Sequence, residues 1–103
     1  MVETEWPELG GKQLQYGDHT WELTGTVEVQ GTGDSVAVRA RRADDVRGEE
    51  VDLRFGIDEG PGSLNPGNLG EHFDRLERSG NLQYLVVKKE GTVYRYKLRG
   101  IDR

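Results

Sequence analysis

The feature that most narrows what this chain can fold into is a repeated period of two. From Trp21 to Gln30 the residues Trp21, Leu23, Val27 and Val29 share one parity, with Gly25 among them, while Glu22, Thr24, Thr26, Glu28 and Gln30 share the other. Successive side chains of an extended chain point to opposite faces, so this alternation puts one face in a core and the other in water. The pattern returns at Val36, Val38 and Ala40 against Ala37, Arg39 and Arg41, and again at Val51, Leu53, Phe55 and Ile57 against Asp52, Arg54, Gly56 and Asp58. Gly31-Thr32-Gly33-Asp34 supplies residues that tolerate positive φ between the first two runs, and a charged turn around Gly48 separates the second from the third. The three runs predict an antiparallel meander.

On either side the pattern weakens. Trp6-Pro7 and Gly10-Gly11 interrupt the start, so residues 1–11 are expected to be poorly ordered and Lys12 to Tyr16 to form a short first strand. The stretch from Gly56 to Gly70 is broken by repeated glycines and by Pro61 and Pro66, which predicts a loop over residues 58–67. Beyond it, Asn68 and Glu71 have the spacing of a capping box, and Leu69, Phe73 and Leu76 recur at intervals of four and three. Glu71 with Arg75, and Asp74 with Arg78, would add acid-before-base pairs one helical turn apart, and Gly80 would end the helix. These residues predict a three-turn amphipathic helix. Tyr84 to Val87, apolar on both parities, and Val93 to Leu98 then form a hairpin around Glu90-Gly91. The expected fold is α+β, a single domain over residues 1–103. Its antiparallel, strongly curved sheet runs in the order β-β-β-β-α-β-β, with the one helix packed on the apolar face.

Composition bounds the function. Apolar residues make up 33% and charged residues 32%, close to the limit below which chains stay disordered, and the period-two runs argue that this one folds. The absence of cysteine removes disulfides, thiolate metal sites and a cysteine nucleophile, and fits a reducing, cytoplasmic setting. The acidic start lacks the basic and apolar segments of a secretory signal, and no apolar run approaches the roughly 18 residues of a membrane span. No contact with a membrane is expected. Nineteen acidic residues against fourteen basic, with arginine favoured over lysine, resemble the composition of salt-adapted proteins. The charge is uneven: from Asn81 onward basic residues outnumber acidic ones six to two.

That basic end carries the most suggestive chemistry. Lys88, Lys89, Arg95, Lys97 and Arg99 are interleaved with Tyr94 and Tyr96, a mixture that suits single-stranded RNA, because rings stack on bases and cations meet phosphates. Period two sets the tyrosines and Arg95, Lys97 and Arg99 on opposite faces, which favours a core role for the rings. Arg39, Arg41 and Arg42 could contact an anion or ligand, and His72, beside the glycine-rich loop, could line a small ligand-binding or hydrolytic cup. No nucleophile lies in a recognisable catalytic context and no acidic cluster has calcium-loop spacing, so no catalytic residue, metal or cofactor is assigned. The function expected is that of a non-catalytic binding or interaction module with a protein partner or a second copy. RNA binding through the C-terminal hairpin is the first alternative, and the cup is the second.

Overall fold

The computed structural model describes residues 2–30, 34–45, 47–59 and 71–102. Eight strands form a single curled antiparallel sheet: β1 Val2–Glu5, β2 Gln13–Tyr16, β3 His19–Gln30, β4 Ser35–Arg42, β5 Val51–Glu59, β6 Phe73–Ser79, β7 Leu82–Lys89 and β8 Thr92–Asp102. The spatial order is β1-β3-β4-β5-β8-β7-β6, and β2 also pairs with β3. β1 and β2 lie end to end along one edge of β3, on residues 26–29 and 19–22 respectively, while β4 pairs along the other. The expected meander is present as β3, β4 and β5, and the C-terminal hairpin as β7 and β8. Two-residue turns at Gly17-Asp18 and Glu90-Gly91 have positive φ at both positions, the twist that suits a hairpin.

The predicted helix is absent, and the fold is all-β among the described residues. Asn68 and Leu69 lie outside the described residues, Glu71 and His72 form a short helical turn, and Phe73–Ser79 is the edge strand β6. The reason is visible in the register. Phe73 pairs with Val87 but Arg75 with Val86, so Asp74 is an extra residue in a bulge. One added residue changes parity, which brings Phe73 and Leu76, three apart, to the same face. A spacing of three in a bulged strand is thus indistinguishable from a helical stripe. The ion pairs also differ from the helical expectation: Arg75 meets Asp74 and Glu77, and Arg78 bonds to Gln15 and the carbonyl of Gly80. β7 supplies the driving force, since Leu85, Val86 and Val87 are all buried and the backbone N–H and C=O groups of so buried a strand need partners along both edges.

Residues 2–11 are integral to the structure rather than a loose leader. β1 pairs with β3, and the segment after it folds over β3, with Trp6 N–H donating to Gly25 O at 2.7 Å and Gly11 N–H to Leu23 O at 2.9 Å. Trp6 and Leu9 are buried in the core with Leu23, Val27, Leu53, Phe55, Leu85 and Tyr96. At Gly25, β3 carries two residues more than β4 between the pairs Leu23–Ala40 and Val27–Val38. An even insertion preserves parity, so the alternation survives a sharp bend. Asp58 and Glu59 continue β5, and the rest of the expected loop falls outside the described residues.

Candidate functional site

The sheet curls until its two ends meet, and they meet through side chains. No backbone ladder joins β1 or β2 to β6 or β7. Instead, Gln83 Nε2 donates to Gln15 O at 3.1 Å, Arg78 Nη1 donates to Gln15 Oε1 at 3.0 Å, and the rings of Trp6 and Phe73 lie with centroids 6.0 Å apart. Gln83 faces inward from β7 and is the one buried polar side chain among the described residues. Its bond to a strand carbonyl explains why it is tolerated there, since an unpaired buried amide would cost about 1–3 kcal/mol.

Two adjoining depressions follow this seam. One, of about 340 Å³, is lined by Gln15, Tyr16, Asp18, His19, Arg78 and Asn81. The other, of about 330 Å³, is lined by Gln13, Leu14, Thr20, Leu76, Glu77 and Gln83. Gln15, Thr20 and Arg78 border both, so together they read as one groove. Its upper wall is fixed by the β2–β3 hairpin, where Trp21 Nε1 donates to Tyr16 O at 3.0 Å and the rings of His19 and Trp21 meet edge to face at 6.1 Å. Carboxamides offer both donors and acceptors, and here three glutamines and one asparagine are gathered with one guanidinium and two carboxylates. The sequence assigns no site to any groove residue: it places Leu76 and Arg78 on the predicted helix and Gln13 to Tyr16 on a short strand. The signal that could have found them was Gln83, a polar residue at an inward parity of an otherwise apolar strand.

The residues proposed from sequence are dispersed. Tyr94 and Tyr96 are buried among the core residues, so neither ring offers a stacking platform beside the cations of β8. Arg95, Lys97 and Arg99 face outward on the convex side, where Arg95 Nε lies 3.5 Å from Glu77 and Arg99 Nη2 lies 3.8 Å from Asp58. Lys88 and Lys89 pair with Val93 and Thr92 near the hairpin tip, on opposite faces. Arg39 meets Asp52 at 3.6 Å on the convex face, Arg42 meets Asp44 at 3.1 Å on the other parity, and Arg41 Nε is buried without a hydrogen-bond partner. The three arginines therefore do not converge. His72 sits in the turn before β6, away from both depressions, and no group of three metal-binding side chains occurs among the described residues.

Tyr96 shows what interior placement does to a titrating group. Burial, followed by the nearby charges of Asp34 and Tyr94, pushes its hydroxyl from 10.0 up to about 12. The folded state thus favours the neutral phenol, while the unfolded chain ionises near the ordinary value. Stability should be intact below pH 10 and fall by on the order of 1–2 kcal/mol as pH rises through the interval to about 12. Urea titrations across that interval should show the loss, and Tyr96→Phe should remove the part of it that belongs to this group.

Comparison with protein-family models, curated proteins and solved structures finds no match to this chain, and the functional reading rests on the groove's own geometry and chemistry.

Proposed function

We propose that the chain is a non-catalytic binding module that takes an extended polypeptide segment into the groove between β2 and the β6–β7 hairpin. The observation that carries this reading is the seam itself: strand edges border a groove whose ends are joined by Gln15, Arg78 and Gln83 rather than by a backbone ladder. An extended peptide presents alternating N–H and C=O groups, and carboxamides on both walls can answer either. The size of each depression lies within the range of small-ligand pockets, at about 300–1,000 Å³.

The reading favours a polar, main-chain-directed contact over an apolar one. Leu82 is the one large apolar side chain exposed among the described residues, so those residues form no broad greasy patch that would call for a second copy. The outer edges also carry charge: Glu3 and Glu5 on β1, and Asp74, Arg75 and Glu77 with a bulge on β6. Such features discourage indiscriminate strand pairing. β2, Gln13 to Tyr16, carries no charged residue.

Panning a displayed library of random peptides on the purified protein tests this. Recovered peptides should shift the amides of residues 13–20 and 76–83, and Gln15→Ala or Arg78→Ala should weaken them about tenfold, or roughly 1.4 kcal/mol. Recovery of no binders, or of binders whose shifts fall elsewhere and ignore both substitutions, would overturn the proposal.

A further inference from the structure

We infer that the convex face of β5 and β8 binds the phosphodiester backbone of a single-stranded nucleic acid, with a base laid on Tyr84. The inference is independent of the groove and rests on a cation cluster that the register of these two strands creates. Leu53 pairs with Ile101 and Phe55 with Leu98, so β8 carries one residue more than β5 at this point. That bulge lets Arg99 and Gly100 both look outward between the inward residues Leu98 and Ile101. Bulges of this kind re-aim side chains next to binding sites.

Two glycines complete the arrangement. Gly100 pairs with Arg54, and a Cβ there would lie 3.4 Å from Arg54 Nη2; a Cβ on Gly56 would lie 3.4 Å from Arg99 Nε. The two arginines therefore cross the β5–β8 boundary in opposite directions, each with its head against the other strand. Lys97 pairs with Gly56 on the same face, and on its far side with Tyr84 of β7. Three cations thus surround one short stretch of sheet whose glycines leave the backbone low. Arg54 and Lys97 make no ion pair among the described residues, while Asp58 engages Arg99 and Glu77 engages Arg95. Tyr84 is half-buried and is the aromatic that this face presents among the described residues.

The chemistry selects a nucleic acid over a simple acidic chain because cations and a ring adjoin. Guanidinium groups meet phosphate oxygens in a planar fork, lysine adds a point charge, and an exposed ring stacks on any base. The site shares Lys97 and Arg99 with the one expected on the C-terminal hairpin but differs in the rest: it adds Arg54, its ring is Tyr84, not Tyr94 or Tyr96, and Lys88, Lys89 and Arg95 lie outside it.

Fluorescence anisotropy with a labelled oligothymidylate of about ten nucleotides tests the inference, with base-free polyphosphate and oligoglutamate of similar charge as the other arms. Binding should fall with salt at a log–log slope of about −2, the value for three phosphate contacts on a single strand. Arg54→Gln combined with Arg99→Gln should weaken it at least about tenfold, Tyr84→Ala about tenfold, and Lys88→Gln with Lys89→Gln should leave it unchanged. Amide shifts of the wild-type protein should concentrate on Arg54 to Asp58, Tyr84 and Lys97 to Gly100, which keeps the test valid if a variant folds poorly. Absence of binding at low salt overturns the inference. Equal binding of polyphosphate or oligoglutamate assigns the surface to anions in general or to acidic peptides, and also overturns it.

Discussion

Replacing Trp6 by alanine is expected to lower the unfolding free energy by about 3–4 kcal/mol, a large fraction of the roughly 5–15 kcal/mol that holds a small domain together. The ring is almost fully buried, belongs to the central core and faces Phe73 across the point where the curled sheet closes on itself. Its loss leaves a cavity between β6 and the segment that follows β1. The indole N–H, however, is buried without a partner, and that unmet donor already costs about 1–3 kcal/mol. Trp6→Phe should therefore be far milder than Trp6→Ala, within about 1.5 kcal/mol of the parent. Urea denaturation of the three proteins gives the comparison. Near-parental stability of Trp6→Ala would mean that the N-terminal segment contributes no core after all.

Gly25→Val should cost a comparable 2–3 kcal/mol, for a different reason, at the order expected when a branched residue is forced into left-handed backbone. Gly25 has a φ of 98° at the bend of β3. For alanine, space is not the obstacle, because a Cβ there would have its nearest neighbour, Trp6 O, at 3.5 Å, an ordinary contact. The cost of Gly25→Ala is therefore conformational, and Gly25→Val should add to it because its two methyls must fit beyond a Cβ already in contact with Trp6 and Gly10, both read by urea denaturation. The bend matters for the proposed site because it lets β1 and β2 share one edge of β3 and carries β2 toward Gln83.

The parity of insertions explains which parts of this fold could be read in advance. β3, β4 and β5 were legible because the two-residue excess at Gly25 leaves the alternation of Trp21, Leu23, Val27 and Val29 intact. β6 was not, because the single extra residue at Asp74 converts a spacing of two into three, and Glu71, Asp74, Arg75 and Arg78 happen to satisfy helical charge spacing as well. The N-terminal segment was missed because Pro7, Gly10 and Gly11 mark a loop correctly but say nothing about Trp6 and Leu9 entering the core. At the level of sites, period two placed Tyr94 and Tyr96 inside and Arg95, Lys97 and Arg99 outside, as the structure does. It could not bring Gln15 to Gln83 or Arg54 to Arg99, which depends on curl and on a bulge.

The measurement that bears most directly on the account is an NMR map of backbone proton contacts across Phe73–Ser79 in the isotope-labelled protein. A strand at β6 predicts cross-strand contacts linking Leu76 with Leu85 and Glu77 with Tyr84, and none between the backbones of residues 13–16 and 73–79. Such a result would establish both the edge strand and the unladdered seam that the proposed binding groove requires. Helical contacts between residues three apart from Glu71 to Arg78, or a continuous ladder from β2 into β6, would contradict it and remove the groove with it.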